Sequence, residues 1–311
     1  MNIGLRIAPL VFLIFLIGGC NFKDQDTADN QRSAPMGRSY IISPPSGASI
    51  SDYPLPSEVS NAQKNKTMIL IEFYRSNDLK EFFQISFGTG FRVSKNIILT
   101  ARHVLLMPMT RLARLGLPII YDPNGLPEGI GYKYRIYCVV QTPGGPQALP
   151  LKLMAIGPMG TPQDFMALKV AEDIPLAILP MEEAVVVESE ESKRDPDKQV
   201  YYYASGFVPR QSFFPTAGGF DDVVLGDLLD YTFRGTISAD IRSMPANKMG
   251  LIAVYRSRMG SEHGFSGGPV FDSAGRVIGM VSEGLYNFTY IVSSKDLNKF
   301  LELIKTKGWD K

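Results

Sequence analysis

Apolar residues occur in short runs, separated by turns rich in glycine and proline, from about residue 68 to the end of the chain. The runs of the first half are 68–74, 91–99, 132–141 and 149–156. Those of the second half are 200–205, 228–236, 249–255, 270–271, 277–281 and 289–292. They are rich in β-branched and aromatic residues, and no period of about 20–50 residues repeats. This pattern predicts an all-β chain whose antiparallel strands form a barrel or a sandwich.

A different periodicity appears near the C-terminus. Four apolar residues follow the spacing i, i+3, i+4 and i+7: Leu297, Phe300, Leu301 and Ile304. This spacing places them on one face of a helix, and the preceding segment 293–296 (Ser-Ser-Lys-Asp) is typical of a helix start. We expect this face to pack against the core rather than against a partner protein.

The first 61 residues differ from the rest. Residues 7–17 are almost wholly apolar and follow Arg6, a run too short to span a bilayer but suited to a signal peptide. The next residues, Ile-Gly-Gly-Cys at 17–20, look like a bacterial lipobox, so we expect a lipoprotein signal peptide over 1–19 and lipidation of Cys20. An ordinary signal peptide with a chance cysteine is the alternative. Residues 20–61 are rich in Ser, Asp, Asn and Pro and are predicted to form a flexible tether.

Composition excludes some classes of function. Lys and Arg total 32 and Asp and Glu total 31, so the net charge of +1 offers no basic stripe for nucleic acid. No run after residue 17 reaches about 18 apolar residues, so we expect no second membrane segment. The acidic and mixed-charge run 188–198 is interpreted as a solvated loop. The only cysteines are Cys20 and Cys138. With Cys20 lipidated, Cys138 is expected to be a small buried core residue, and a reactive thiol is the alternative.

The most specific motif is Gly-Phe-Ser-Gly-Gly-Pro at 264–269. A serine followed by two glycines sits on a tight turn whose backbone N–H groups can converge on one point. A nucleophile beside an oxyanion hole requires this arrangement. A glycine-rich hairpin that merely exposes Ser266 is the alternative.

Two further motifs supply a base and a carboxylate. Leu-Thr-Ala-Arg-His-Val at 99–104 ends an apolar run, which places His103 at the tip of a buried strand. A neutral imidazole beside a serine hydroxyl can take its proton at neutral pH. Asp164 opens the strand-like run 164–170 and would accept the Nδ1 proton of His103. An aspartate before a strand is also a common turn residue, so this third motif is weak by itself.

The order His103, Asp164, Ser266 resembles that of the trypsin/chymotrypsin-like serine peptidases of bacterial type. The likeness extends from about residue 65 to 303 and rests on five segments: Gly-Thr-Gly-Phe at 88–91, Thr-Ala-Arg-His at 100–103, 164–170, 264–269 and Val-Ser-Glu-Gly at 281–284. It implies two antiparallel six-stranded β-barrels with a C-terminal α-helix. The N-terminal barrel, carrying the histidine and the aspartate, would cover 62–180. The C-terminal barrel, carrying the serine, would cover 181–311.

The resemblance also implies a serine endopeptidase that works through an acyl-enzyme. Ser266 would be the nucleophile, His103 the general base and Asp164 the group that orients it. The backbone N–H groups of Gly264 and Ser266 would bind the oxyanion. Neither a metal ion nor an organic cofactor is needed for this chemistry.

The specificity pocket is also assigned by resemblance. Its expected lining is Gly260, Ser261, His263, Ser282, Glu283 and Gly284. The resemblance also implies that Ser282 adds a hydroxyl near Asp164. No acid stands at the expected floor, so a preference for Lys or Arg is not expected. His263 is interpreted as a residue at the rim of the pocket, and a role in favouring an acidic substrate side chain is the alternative. Phe288 or Tyr290 would equally narrow the pocket toward small side chains. The long segment 209–226 either shapes the substrate cleft or decorates the fold.

Two residues depart from the family's pattern. Arg102 replaces a small residue beside the histidine. Phe265 replaces the acidic residue that pairs with a new N-terminal ammonium in the activated pancreatic-type enzymes. Because Phe265 cannot form that pair, we expect an oxyanion loop that forms without N-terminal processing. The alternative hypothesis is a catalytically silent, peptidase-fold binding lipoprotein of the cell envelope.

The expected partners are a protein or peptide substrate and the membrane, through the lipid on Cys20, with no nucleic acid. The expected location is the bacterial cell envelope, facing the periplasm or the cell exterior. Asn21 stands where an aspartate retains some bacterial lipoproteins at the inner membrane, which favours the outer membrane.

Overall fold

The computed structural model describes Ile41–Ile42, residue 51 and most of the chain from residue 53 onward. The residues that it does not describe are 1–40, 43–50, 52, 76–81, 143–144, 158–162, 171–173, 184, 210–213, 216–222, 226–227, 239–241, 245–251, 258–262, 286–287 and 310–311. The predicted signal peptide and Cys20 therefore lie outside the described residues, as does most of the predicted tether. No helix in the described part of the chain is long and apolar enough to cross a membrane.

The described elements are mostly strands. The strands of the first half are β1 (Ile41–Ile42), β2 (Lys66–Arg75), β3 (Phe82–Ser94), β4 (Ile97–Thr100), β5 (Ile119–Tyr121), β6 (Pro127–Gly129), β7 (Tyr132–Thr142), β8 (Gly145–Ile156) and β9 (Met166–Val170). Those of the second half are β10 (Tyr202–Pro209), β11 (Phe214–Pro215), β12 (Val223–Leu225), β13 (Leu228–Gly235), β14 (Arg242–Met244), β15 (Ile252–Ser257), β16 (Pro269–Phe271), β17 (Val277–Leu285) and β18 (Phe288–Ser293). The helices are α1 (Ser57–Ala62), α2 (His103–Arg114), α3 (Glu190–Arg194) and α4 (Ser294–Lys307), with short 3₁₀ turns at Gln63–Asn65 and Pro196–Lys198.

The first half of the chain forms a closed antiparallel barrel in the order β2-β3-β4-β9-β8-β7. Strand β2 is buried along nearly its whole length, and its two faces have different partners. Ile69 and Ile71 belong to the main apolar core, whereas Met68 and Leu70 belong to a separate cluster that also contains Phe207 of β10. Since successive side chains of a strand point to opposite faces, β2 fills the barrel with one face and contacts the second half with the other.

The second half forms an antiparallel sheet in the order β13-β10-β16-β17-β18-β15-β14. A bridge joins Ile237, just after the edge strand β13, to Ser257 of β15, which lies next to the opposite edge strand β14. The predicted all-β, chymotrypsin-like fold is therefore confirmed. The second sheet has seven hydrogen-bonded strands in its described part, where six were expected, because the short strand β14 adds to β15.

Helix α4 completes the fold as its apolar spacing predicts. The hydroxyl of Ser293 accepts a hydrogen bond from the N–H of Asp296 and so caps the helix. The four apolar residues of the predicted stripe are buried. Phe300 packs on Phe165, just before β9, with ring centroids 4.5 Å apart. The stripe is thus a core face, which confirms that prediction.

Some elements differ from the predicted runs. The run 91–99 is divided between β3 and β4 by the turn at Lys95 and Asn96, because the strands there fold back as a hairpin. Helix α1 lies at the end of the range predicted as a tether, and its Val59 is fully buried. The charged run 188–198 contains the short helix α3. Cys138 lies buried in β7, and burial raises the pKa of its thiol to about 12, as suits a core residue.

Helix α2 begins at His103, where the sequence predicts only the tip of a strand. Pro108 lies inside this helix and has no N–H to donate to the carbonyl of Val104, four residues earlier. The hydroxyl of Ser86 in β3 donates to that carbonyl oxygen at 2.7 Å instead. The first barrel therefore supplies the hydrogen bond that the proline removes, and α2 continues through Pro108 to Arg114.

Candidate active site

Three side chains that are far apart in the sequence meet at one point. The Nε2 atom of His103 lies 2.8 Å from the Oγ atom of Ser266, and its Nδ1 atom lies 2.6 Å from Oδ2 of Asp164. The fold explains the meeting on the histidine side: β4 pairs with β9, so the residues just after β4 and just before β9 are neighbours. Ser266 comes from the turn that precedes β16. The structure thus brings together the histidine, aspartate and serine singled out from the sequence.

The carboxylate of Asp164 is almost enclosed by donors. Its Oδ1 accepts the backbone N–H of His103 at 2.9 Å, and its Oδ2 accepts the hydroxyl of Ser282 at 2.6 Å in addition to the imidazole. Burial by itself raises the pKa of Asp164, but the hydrogen bonds and charge of His103 and the bond from Ser282 outweigh it and lower the pKa below its usual value. Asp164 is therefore held as an anion that fixes the imidazole ring.

Arg102 points toward this carboxylate and not into solvent. Its Nη1 donates to the carbonyl oxygen of Gly157 at 3.0 Å, and its Nε lies 4.0 Å from Oδ1 of Asp164. The side chain is only 12% exposed. Burial lowers the pKa of the guanidinium, and the negative charge of Asp164 opposes that shift. A cation therefore stands beside the carboxylate that orients His103.

The turn around Ser266 depends on two glycines with left-handed backbones. Gly264 has a φ of 101° and Gly267 a φ of 85°, which side-chain-bearing residues rarely adopt. A Cβ atom at Gly264 would also collide with the carbonyl oxygen of Phe207. The turn closes through a 2.7 Å bond from the N–H of Gly268 to the carbonyl of Phe265. Within the described part of the chain, the N–H groups of Gly264 and Ser266 have no hydrogen-bond partner, so both can receive an anionic oxygen.

Phe265 occupies the interior of the second half and is fully buried. Its ring lies 5.3 Å from that of Phe233, and it belongs to an apolar cluster with Tyr202, Ala204, Ile237, Val270, Ile278, Val281 and Ile291. A Cβ atom at Gly206 would approach Cγ of Phe265 to 2.7 Å, so the ring packs directly on the β10 backbone. The residue that precedes Ser266 therefore anchors the turn by apolar packing.

The structure describes only part of the predicted specificity pocket. His263 is exposed in the turn before Gly264, while Gly260 and Ser261 lie outside the described residues. Glu283 and Gly284 continue β17, and their backbones pair with Tyr290 and Thr289 of β18. Ser282, also assigned to this pocket, lies at a shift of register in that pairing and donates to Asp164. A bulge redirects a side chain locally, which explains why Ser282 meets the carboxylate.

Thr89, in the first barrel, also forms a hydrogen bond to the turn that carries Ser266, although sequence reasoning did not single it out. It is fully buried, and its hydroxyl donates to the carbonyl of Gly264 at 2.6 Å. Thr89 belongs to the sequence motif at 88–91, which by itself predicts no role for the threonine side chain. A hydroxyl residue between two glycines was the available signal.

A separate cavity of about 490 Å³ lies on the first barrel. It is bordered by the segment from Asp122 to Gly129 and by parts of β7 and β8, and it contains none of the predicted site residues. In the described part of the chain, no group of three or more His, Cys, Asp or Glu side chains is arranged to hold a metal ion.

A comparison with protein families identifies a related domain. A model of the trypsin-like peptidase domain matches residues 88–280, which is more than half of the 311-residue chain. The matched segment contains His103, Asp164 and Ser266, and also Arg102 and Phe265. A comparison with curated proteins finds no match.

Proposed function

The chain belongs to the family of trypsin-like peptidase domains, and from this premise we propose that it is a serine endopeptidase acting through a Ser-His-Asp triad. The observation that carries the proposal is the unbroken relay from Asp164 through His103 to Ser266, with contacts of 2.6 and 2.8 Å. These distances lie within hydrogen-bond reach, as proton transfer from the hydroxyl to the imidazole requires.

In the proposed acylation step, the Oγ atom of Ser266 attacks the carbonyl carbon of a peptide bond. The hydroxyl proton moves to Nε2 of His103, and the carbonyl oxygen becomes an anion that accepts the N–H groups of Gly264 and Ser266. Loss of one such donor typically costs about 100- to 1,000-fold in rate. Asp164 stabilises the imidazolium and keeps Nδ1 as the protonated nitrogen.

The tetrahedral intermediate then collapses. The C–N bond breaks, and the imidazolium of His103 gives its proton to the departing amine, which leaves an ester on Ser266. Water enters in place of the amine, transfers a proton to His103 and attacks the ester carbon. The ester bond breaks, the proton returns to the Oγ atom of Ser266, and the acid product leaves.

We further propose that the oxyanion turn forms without processing of the N-terminus. Phe265 fills the position of the acid that needs a new ammonium partner, and its packing holds the turn without charge. For the specificity pocket, we propose no preference for Lys or Arg. His263, exposed beside the turn, is the residue to vary in a test of acidic preference.

We also propose that the enzyme is a bacterial lipoprotein, anchored by lipid on Cys20 in the cell envelope with the outer membrane favoured, and that it meets protein or peptide substrates there. The support is the apolar run 7–17 and the lipobox-like segment that follows it. In Cys20→Ser, the expressed protein should lose both lipid labelling and membrane association. Membrane association that survives this substitution would contradict the lipid anchor.

The catalytic proposal is tested with a fluorophosphonate probe on the full chain. An activated serine displaces the fluoride and forms a stable phosphonate ester, so wild type should be labelled and Ser266→Ala should not. Ser189→Ala, at the exposed start of α3, is a matched control that should label like wild type. Folded wild-type protein that remains unlabelled would instead favour the silent binding lipoprotein.

A further inference from the structure

Thr89 joins the first barrel to the serine turn through its backbone N–H and its side-chain hydroxyl. Its backbone N–H donates to the carbonyl of Ser266 at 2.8 Å, and its hydroxyl donates to the carbonyl of Gly264 at 2.6 Å. The same hydroxyl oxygen accepts the N–H of Phe207 in β10 at 3.1 Å. One residue of β3 is therefore bonded both to the turn and to the strand against which the turn packs.

The hydroxyl is chemically specific for this role. It is the only part of the side chain that can donate to one group and accept from another at a single atom. A valine of the same shape can do neither and would leave the Gly264 carbonyl and the Phe207 N–H without this partner in a buried site. A buried polar group that loses its hydrogen-bond partner destabilises the conformation that buries it.

Thr89 is itself held in place. The hydroxyl of Thr100 donates to the Thr89 carbonyl at 2.7 Å. A Cβ atom at Gly88 would approach the Ser266 carbonyl to 2.7 Å, and one at Gly267 would collide with the Thr89 carbonyl. The backbone around Gly88 and the backbone around Gly267 thus lie so close that neither position has room for a side chain. Thr89 therefore has little freedom to shift.

The two carbonyls bound by Thr89 lie on either side of an oxyanion donor. The Gly264 carbonyl belongs to the peptide unit before Phe265, and the Ser266 carbonyl belongs to the unit after Ser266. Between them lies the peptide unit whose N–H belongs to Ser266. Because peptide units are planar, fixing both neighbours restricts the rotation of the one between them. Without such restraint, Gly264 and Gly267 would allow the turn several other conformations.

We propose that Thr89 is a positioning residue for catalysis, whose hydroxyl holds the oxyanion turn in its working conformation from the opposite barrel. This inference rests on the proposed function, because it concerns the donors used in the transition state. Loss of the Thr89 hydroxyl should lower the rate of acylation far more than it weakens substrate binding.

The test compares Thr89→Val with Thr89→Ser in the full chain. Thr67→Val is a matched control, because Thr67 is also fully buried in the first barrel and its hydroxyl donates to the Val139 carbonyl at 2.7 Å. The control removes a hydroxyl of the same kind from the same barrel without removing a bond to the serine turn. For each variant, kcat, KM, the rate of fluorophosphonate labelling and the melting temperature are measured.

Thr89→Val should lose about 10- to 100-fold in kcat and in labelling rate, with KM within about two-fold, since displaced donors fail chiefly in the transition state. Thr89→Ser should stay within about three-fold of wild type, because it keeps the hydroxyl. Thr67→Val should lower the melting temperature with little change in kcat. If Thr89→Val does not fold, Thr89→Ala, which avoids the bulk of valine beside unbonded polar groups, takes its place with the same expectation.

The result that overturns the inference is a folded Thr89→Val or Thr89→Ala protein whose kcat matches that of Thr67→Val. Loss of activity in Thr89→Ser equal to that in Thr89→Val would also overturn it. These outcomes differ from failure of the proposed function, in which wild type itself is neither labelled nor active.

Discussion

The two sides of the active site are positioned by different kinds of interaction. On the histidine side, defined here as Arg102, His103 and Asp164, charged groups and their hydrogen bonds set the geometry. On the serine side, defined here as residues 264–268, the packing of the buried Phe265 and the hydrogen bonds from Thr89 to backbone carbonyls set the geometry. The interactions on the histidine side change as protons bind, whereas those on the serine side do not. We therefore expect the histidine side to respond to pH and the serine side to respond to packing.

The largest effect that would sharpen this comparison is expected for Asp164→Asn. The amide cannot hold Nδ1 of His103 in its protonated form, so kcat should fall about 10⁴-fold, as it does for the corresponding change in a trypsin triad. Steady-state kinetics on a peptide substrate at several pH values give this number. A loss of less than about ten-fold would mean that the carboxylate does not orient the base.

The same variant tests the pH response of stability. The pKa of Asp164 is lowered in the folded state, so unfolded chains bind more protons between the folded and unfolded pKa values, and stability rises with pH there. The stabilisation by this carboxylate is present above the usual aspartate pKa and is lost as pH falls through the lowered one. The difference in unfolding free energy between wild type and Asp164→Asn should therefore shrink on acidification.

The next effect concerns packing on the serine side. Phe265→Ala should lower the free energy of unfolding by about 3–5 kcal/mol, because it removes a fully buried ring from the apolar cluster. Urea unfolding at pH 5, 6, 7 and 8 measures the loss, which should be the same at each pH. Phe265→Leu, which keeps most of the buried volume, is the control and should lose much less. A loss that varies with pH would contradict the assignment of this side to packing.

The smallest effect is expected for Arg102. Its guanidinium donates to the Gly157 carbonyl and stands 4.0 Å from Oδ1 of Asp164, so it helps to hold the carboxylate that orients His103. Arg102→Ala should therefore lower kcat by about two- to five-fold with little change in KM, as the loss of an ion pair worth up to about 1 kcal/mol would do. Steady-state kinetics on a peptide substrate measure this loss.

Arg102→Lys separates charge from hydrogen bonding in this prediction. It keeps a positive charge but loses the planar fork that binds Gly157, so its kcat should fall less than that of Arg102→Ala if the charge beside Asp164 matters most. An Arg102→Ala protein whose kcat equals that of wild type would show that the cation does not help to hold Asp164.

The parts of the molecule that could be predicted from sequence are those with a local signature. Ser266 and His103 stand in short motifs of unusual composition, and both come together in the structure. Short runs rich in apolar, β-branched and aromatic residues, bounded by turn residues, predict β2, β7 and β8. The spacing of Leu297, Phe300 and their neighbours predicts α4 in the same way, because a helix with one buried face repeats at 3.6 residues.

The parts that could not be predicted depend on contacts between distant segments. Arg102 reaches Gly157 because β8 pairs with β9 and β9 with β4, and nothing near Arg102 in the sequence specifies that register. The partner of the Thr89 hydroxyl is 175 residues away. Helix α2 has no side-chain cap at its start and contains Pro108, so its local sequence does not favour a helix. The hydrogen bond from Ser86 to the Val104 carbonyl, which offsets the effect of the proline, comes from a different element.

That bond from Ser86 has a consequence for the whole site. Ser86 and Thr89 lie three residues apart on β3. The hydroxyl of Ser86 is bonded to helix α2, which begins with His103, and that of Thr89 is bonded to the turn that carries Ser266. A single strand is thus hydrogen-bonded to both the segment that carries His103 and the segment that carries Ser266. A small displacement of β3 would move both segments in the same direction. We therefore expect the distance between Nε2 of His103 and Oγ of Ser266 to vary little during thermal motion of the barrels.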